Sequence, residues 1–405
     1  MTDSEAVEDV EIAVVGAGPA GLAAALALAL TGAEVALVGL PPPAEDNRTT
    51  ALLGGSVTAL ETLGVWAALA GRAAPLRGMR LIDDTGGLIR APQLEFRATE
   101  LGLDAFGWNV ANRDLVAAQR ARLAAHPRLT VREAKVEAVE ITDSHVFLRP
   151  AAGDTIRARL VVAADGRNSL ARTAAGITVT HHRYPQTAVT LNLLHSAHHH
   201  DVSTEFHTRR GPFTLVPLPG DRSSLVCVTS PEDADVLMAQ DDTALARELE
   251  RRAHFVLGRF KIDGGRAAWP LAAETPSRLG ARRVALVGEA AHVVPPIGAQ
   301  GLNLGLRDGA MLAELVAEAR REGDDVGSDA LLRRYGDARR IDIMSRTFAI
   351  DTLNRSLMSP FLPLHAARSA ALWLVDRLPF LRRLVMREGL GPRLGEPRLM
   401  RGEML

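Results

Sequence analysis

The run Ile12-Ala-Val-Val-Gly16-Ala-Gly18-Pro19-Ala20-Gly21 places glycines in the spacing Gly-x-Gly-x-x-Gly where an apolar stretch gives way to the Ala/Leu-rich residues 22–30. That spacing suits a pyrophosphate. Gly16 permits a tight strand-to-helix turn, Gly18 lets the backbone approach phosphate, and Gly21 lets the helix pack closely on the strand. The first helical turn, opened by Pro19 and Ala20, then offers free N–H groups and a partial positive charge to the anion. Framed by strand and helix, the motif predicts a dinucleotide, FAD or NAD, over a purely structural turn. The acid that ordinarily grips the adenosine ribose about twenty residues further on is missing. The second strand, Glu34-Val-Ala-Leu-Val-Gly39, ends in glycine, and the nearest acids, Glu45 and Asp46, follow Pro41-Pro42-Pro43.

Two more glycine turns follow hydrophobic runs: Ala164-Asp165-Gly166-Arg167-Asn-Ser169, and Gly288-Glu289-Ala-Ala-His292-Val-Val-Pro-Pro296-Ile-Gly298-Ala299-Gln300-Gly301-Leu302-Asn303. A strand ending at Gly288 delivers Glu289 to the carboxyl edge of a parallel sheet, where open α/β sheets bind ligands. The loop from Pro296 to Asn303 then presents backbone N–H groups at a helix N-terminus, a place for negative charge. Histidine as a residue type serves as a base near neutrality, so His292 invites that reading, yet in such a loop it is expected to hold structure by hydrogen bonding. Cys227, the single cysteine, lies in the apolar run Ser224-Leu-Val-Cys-Val228 and reads as a core residue. The histidines at 181, 182, 195, 198, 199 and 200 do not read as a metal site, because neighbours in a strand face opposite ways and the segment is expected to be a sheet-edge loop.

The elements that hold these motifs follow from periodicity. Residues 55–70 show helical spacing, 78–98 short strands about a turn at 84–87, and Arg113–Ala125 a helix capped by Asn112. Residues 129–157 alternate as a β-meander leading into the buried run Ala158–Ala164. From 183 to 230 alternating strands imply an inserted antiparallel sheet, with helical pattern at 241–257, 305–321 and from 328 to about 388. At 405 residues the chain exceeds one core, so two lobes are expected. A net charge of −1 gives no argument for nucleic acid. Residues 1–10 read as a frayed polar tail and no stretch as a membrane span. One cysteine suits a reducing compartment, and the expected location is the cytoplasm, on or off the inner membrane surface. The C-terminal run from Pro360 to Met386 mixes Trp373 and Phe380 with Arg377, Arg382 and Arg383. Such a mixture suits an interfacial helix or a helix packed over the core.

The three motifs in this order resemble the FAD-dependent aromatic hydroxylases built like 4-hydroxybenzoate hydroxylase, and most closely the ubiquinone-biosynthesis hydroxylases. Asp46-Asn-Arg48-Thr-Thr-Ala51-Leu52, Leu63-Gly-Val65-Trp66, Tyr184-Pro-Gln186-Thr-Ala188 and Arg210-Gly-Pro212-Phe-Thr-Leu-Val-Pro217 are similar to segments of that family, and the likeness runs from about residue 10 to about 390. It implies an α/β fold: a Rossmann-like FAD-binding domain (1–76, 97–180 and 273–345), an inserted antiparallel-sheet substrate domain (77–96 and 181–272) and a helical C-terminal segment (346–405). It further implies FAD contacts at Gly16, Gly18, Pro19, Ala20, Gly21, Arg48, Arg113, Asp165, Gly166, Gly288, Glu289 and the loop Pro296, Gly298, Ala299, Gln300, Gly301, Leu302 and Asn303. Pro296, Gly298 and Ala299 would lie beside the isoalloxazine. The implied reaction is hydroxylation of a polyprenylated phenol or quinol through a flavin C4a-hydroperoxide, with O₂ as co-substrate and NAD(P)H or a redox partner as electron donor. A membrane surface and other ubiquinone-biosynthesis proteins are implied partners. The alternatives are a hydroxylase of a soluble aromatic compound and a non-catalytic lipid-holding or scaffold member. Two departures accompany Gly39: the family's Asp is Glu289, and the first Gly of its Gly-x-Gly pair is Ala299, with Gly298 one place early.

Overall fold

The computed structural model of the chain describes residues 7–43, 46–87, 91–358, 362–391 and 395–405, with backbone alone at 353, 358 and 362–368. β1 (Val7–Val15) leads into α1 (Pro19–Ala29) and β2 (Val35–Val38). Every residue of β2 and the last four of β1 are buried, as continuous apolar strands must be when both faces of a parallel sheet are covered. With β8 (Leu129–Arg132), β11 (Thr155–Ala163), β17 (Gly280–Ala281) and β18 (Val284–Leu286) they form an eight-stranded sheet in the order β17-β18-β11-β1-β2-β8. β9 (Val136–Ile141) and β10 (Val146–Pro150) fold off β11 as antiparallel partners and complete that sheet. One face packs on α1, on α3 (Asn112–Ala124) and on α7 (Gln300–Glu322); the other packs on the β9–β10 hairpin and α4 (Leu170–Ala174).

The polar start of the chain is not frayed from Val7 onward. Val7–Val10 extend β1 along Thr155–Ala158; residues 1–6 lie outside the described residues. Leu129–Arg132, expected in the meander, pairs in parallel with β2 instead, because alternation marks a strand without naming its partner. The helix expected over 55–70 is α2 (Gly54–Thr62), stopped where Gly64 turns at φ +73 and followed by 3₁₀ turns at Trp66–Ala68 and Ala70–Arg72. Asn112 does not cap α3: Ala111 holds the cap position, and the Asn112 side chain accepts from Thr50 Oγ1 at 2.7 Å. The 241–257 pattern resolves into α6 (Asp242–Arg252), preceded by α5 (Pro231–Ala239).

β5 (Gly78–Asp83), β6 (Leu94–Arg97), β12 (Val179–His195), β13 (Val202–Thr208), β14 (Gly211–Leu218), β15 (Arg222–Thr229) and β16 (Phe260–Pro276) make a seven-stranded sheet ordered β16-β12-β15-β14-β13-β5-β6. It is antiparallel except where β5 joins β13 in parallel, the strand having come from far up the chain. Val189, Leu191, Phe206, Leu215 and Leu225 seal one face beneath α5 and α6. A three-stranded sheet, β3 (Thr49–Leu53), β7 (Gly107–Ala111) and β4 (Ala74–Pro75), bridges the two larger ones. α8 (Asp329–Met358), α9 (Leu362–Arg377) and α10 (Pro379–Leu390) close the chain. Leu372, Val375 and Met386 pack on Leu94 and Phe96, so the last two helices cover the edge of the seven-stranded sheet. No described helix is long and apolar enough to cross a membrane. We propose the domain limits given above as the working division, with β12 and β16 reaching a few residues across them.

Candidate active site

β1, β2, β11 and β18 run in register, Val15 beside Val38 and Ala163, and Ala163 beside Leu286. Their carboxyl ends therefore deliver Gly16, Gly39, Asp165 and Gly288 to one edge. A Cβ on Gly16 would sit 2.2 Å from Ala164 O, and one on Gly21 would sit 2.0 Å from Gly16 O, so both positions must be glycine. Nothing lies within 4 Å of the direction a Cβ would take at Gly18, Gly166, Gly298 or Gly301. These four line open ground. Pro19 starts α1, and a Cβ on Gly288 or Gly305 would come within 3.1 Å of the Ala20 Cβ, so α1 lies close against α7 behind that ground.

Charged side chains gather at its rim. Asp165 accepts from Leu170 N at 2.8 Å through Oδ2, while Oδ1 is buried with no partner among the described residues. Glu289 is largely exposed and lies 3.4 Å from Arg167 Nε. Asp46 binds Arg48 through both carboxylate oxygens at 2.9 Å, and that bond, with a weaker pull from Glu289, raises the guanidinium pKa. The Arg48 guanidinium also stands 5.3 Å from the centre of the Trp269 ring. Asp46 is thereby committed to Arg48, and Glu45 lies outside the described residues. Arg113 is exposed in the first turn of α3, the helix that Gln119 ties to Pro19 O at 2.9 Å.

The loop before α7 keeps its left-handed turn in spite of its sequence. Gly298 has φ +66 and Ala299 φ +54, so alanine occupies a conformation that costs an L-residue about 1 kcal/mol or more. Asn303 holds it there by donating to Ala299 O and Ala51 O and accepting from Leu53 N at 2.9 Å. Pro296, Gly298 and Gly301 face outward, Leu302 is half-buried, and Gln300 and Asn303 turn in. α7 begins at Gln300, and the first N–H groups of a helix have no partner within it. An anion could be held there.

Behind the loop is a buried charge network that motif reading missed. Asp308 accepts from Gly288 N at 3.1 Å, His292 Nε2 at 2.7 Å and Arg339 Nε at 2.8 Å. Burial alone would raise its pKa, but His292 and Arg339 outweigh burial and hold it below the usual carboxylate range. Asp342 accepts from Arg307 and Arg339 at 2.7 Å through one oxygen and from Arg346 at 2.7 Å through the other. Arg346 in turn donates to Gln300 Oε1 at 3.1 Å. His292 is thus a loop support, as expected, and not a base facing open ground. The signal for the rest was Arg339, Asp342 and Arg346 on one face of α8, at spacings of three and four. Cys227 is sealed in the core and burial pushes its thiol up to about 11. His195 closes an interior strand, not a sheet edge, and bonds Ala197 O at 2.8 Å and Ser223 Oγ at 3.1 Å. Among the described residues no three His, Cys, Asp or Glu are placed to hold a metal.

Open ground beside a Gly-rich turn, an orphaned Asp165 oxygen, an exposed Arg113 and a helix N-terminus all fit a dinucleotide bearing a ring system. Residues 9–346 match the family model described as FAD binding domain. The chain is 36% identical over 402 residues to ubiquinone hydroxylase UbiL of Rhodospirillum rubrum, covering 97% of this chain and 92% of that one. It is 32% identical over 391 residues to 3-demethoxyubiquinol 3-hydroxylase of Escherichia coli, covering 94% and 98%. The chain belongs to the ubiquinone hydroxylase family of FAD-dependent monooxygenases. This hydroxylase also shares its fold with p-nitrophenol 4-monooxygenase of Pseudomonas putida, at TM-score 0.77 and 23% identity over 96% of this chain and all (100%) of that one. Of the three departures, Ala299 takes up the left-handed conformation at φ +54 in spite of its side chain. Gly39 is required by packing, since a Cβ there would lie 2.7 Å from Ala17 N.

Proposed function

We propose that this enzyme hydroxylates the aromatic ring of a polyprenylated phenol or quinol on the way to ubiquinone. The observation that carries the reading is the near end-to-end likeness to UbiL and to 3-demethoxyubiquinol 3-hydroxylase. Gly16, Gly18, Pro19, Ala20 and Gly21 would hold the pyrophosphate with Arg113. Asp165, Gly166, Gly288 and Glu289 would take the ribityl chain and its neighbourhood, with Arg48 across from Glu289. Pro296, Gly298, Ala299, Gly301 and Leu302 would lie along the isoalloxazine, with Gln300 and Asn303 fixing the loop from behind. When bound and reduced by NAD(P)H or a redox partner, FAD supplies the activation of O₂. The chain's own residues orient the ring, keep water away and steady negative charge through the α7 N–H groups.

A membrane surface is part of the same proposal. Ile341, Met344 and Phe348 are exposed along one face of α8, and Trp373, Leu374, Leu378 and Phe380 are exposed around α9 and α10, next to Arg377 and Arg383. An apolar face bordered by cations suits the headgroup boundary of a bilayer holding an isoprenoid substrate. The test is to purify the FAD-loaded protein, supply reductant and O₂ with a prenylphenol in vesicles, and look by mass spectrometry for one added oxygen. Oxygen consumption with peroxide but no hydroxylated product from any prenylphenol or prenylquinol would sink the reading, and turnover of unprenylated phenols alone would favour a soluble aromatic substrate.

A further inference from the structure

Across the seven-stranded sheet, register places Thr190 opposite Val226, Val226 opposite Thr214, Thr214 opposite Glu205 and Glu205 opposite Leu81. Residues in register leave the sheet on the same face. It is the face turned away from α5 and α6. On it, Asn192 donates to Asn47 O at 3.0 Å and Ser224 Oγ accepts from Thr49 at 2.8 Å, so it looks toward the FAD-binding unit. Thr190, Glu205, Thr214 and Val226 are only half-buried, although they sit on inner strands flanked by the FAD-binding unit and α8. All four keep part of their surface exposed on that face.

Among these hydroxyls and methyls stands an acid paired with an imidazole. Glu205 accepts from His207 Nε2 at 2.8 Å and from Thr214 Oγ1 at 3.2 Å, and His207, two residues on, shares its face. Donation from Nε2 to the carboxylate leaves Nδ1 as the acceptor nitrogen, and Nδ1 makes no hydrogen bond among the described residues. The titratable neighbour on β5 is Asp83, in register with His207 and occupied by Thr85 and Ala91. From α8, Asp351 is turned to Tyr184 at 2.7 Å and to Arg355. An imidazole oriented by a carboxylate, with no bond at its second nitrogen among the described residues, is the arrangement of a general base.

We propose that His207, oriented by Glu205, binds the hydroxyl of the aromatic substrate and takes its proton. The O–H bond breaks, an N–H bond forms at Nδ1, and the electron pair stays on oxygen as a phenolate that enriches the ring. Glu205 stabilises the imidazolium. The inference rests on the reading of the substrate as a phenol or quinol, and it assigns that substrate its polar anchor.

The test uses oxidised FAD-loaded enzyme without reductant and two chromogenic phenols, 4-nitrophenol and 2-geranyl-4-nitrophenol, followed by difference spectra against pH. The wild type should bind the geranyl probe with its ionisation about one pH unit below the free value, a tenfold preference for phenolate. His207→Gln should abolish that preference and weaken binding about tenfold near neutrality. Glu205→Gln should abolish most of it, and Thr214→Val, which keeps the fold-critical groups, part of it. Circular dichroism and the flavin spectrum report whether each variant is folded. Unchanged phenolate preference in folded His207→Gln, or no preference in the wild type, overturns the proposal, as does failure of both probes to bind. Ionisation of 4-nitrophenol with exclusion of the geranyl probe would leave the base standing and refute the polyprenyl reading instead.

Discussion

Replacing Gly39 by alanine isolates one contact. The backbone at 39 is not in the left-handed region, so the change adds a methyl without conformational strain. That methyl would lie 2.7 Å from Ala17 N and 3.1 Å from Gly16 C and Cα. Ordinary contact begins near 3.4 Å, so about 0.7 Å must be found. Neither wall is free to give it: Gly39 N donates to Arg132 O at 3.0 Å, and Gly16 N donates to Val38 O at 2.8 Å. Overpacking of this kind costs about 1–3 kcal/mol. If the Gly-rich loop absorbs the shift, FAD binding weakens by between about fivefold and about 150-fold; if the sheet absorbs it, the urea midpoint falls. Titrating FAD into apoprotein by flavin fluorescence, alongside urea unfolding, reads both. Wild-type FAD affinity together with a wild-type urea midpoint in Gly39→Ala would refute the packing argument. Gly39→Glu, which installs the acid common at this place in related folds, should bind FAD more weakly still, and tighter binding would show that the lost carboxylate matters more than the contact.

Ala299→Gly relieves a left-handed alanine and should raise stability by about 0.5–1 kcal/mol, measured as a higher urea midpoint with FAD still bound; a lower midpoint would count against strain in this loop. Asp308→Asn leaves the Arg339 guanidinium, 1% exposed, with Asp342 as its remaining acidic partner, and should cost about 3–5 kcal/mol in urea unfolding. Acid should destabilise the protein in a window set by its lowered carboxylates. Asp233 is held at about 2, where burial would raise it and the Arg252 hydrogen bond outweighs burial. Its contribution is therefore present above the unfolded value of 3.8 and lost as pH falls toward 2; Asp233→Asn should flatten the stability profile between those limits. Phe348→Ser with Phe380→Ser should reduce flotation with anionic vesicles while leaving the flavin spectrum unchanged, and undiminished flotation would argue against that face as the membrane contact.

The glycine motifs were legible because each glycine answers a local demand. Gly16 and Gly21 meet backbone atoms, and the open ground at Gly18 needs no partner beyond the strand and helix that flank it. Strand pairing was less legible. Leu129–Arg132 alternates like the meander it precedes, and only the tertiary fold chooses β2 as its neighbour. The Asp308 and Asp342 network was hidden because it joins three segments of chain, 288–292, 307–308 and 339–346, whose charges read separately as ordinary polar helix residues. Glu205 and His207 passed unnoticed for a related reason: in an alternating strand two polar residues at i and i+2 read as a solvent face, and here that face is turned toward the FAD-binding unit. Ala299 stood out in sequence as an alanine where the family has glycine, and only the structure shows it at φ +54 with Asn303 donating to its carbonyl.

The match to the FAD-binding family ends at residue 346, in the middle of a helix that continues to Met358. Arg346 reaches Gln300, while beyond it Asp351 accepts from Tyr184 and Asn354 donates to Gln186 Oε1 at 2.8 Å. One rod is therefore pinned to the cofactor loop by its middle and to the substrate sheet by its end. A fragment cut where that family match ends would sever that rod, strip Gln186 of a buried partner and free the two halves to drift. The smallest unit that can be inherited, swapped or engineered in this protein is longer than the unit that the FAD-binding family outlines.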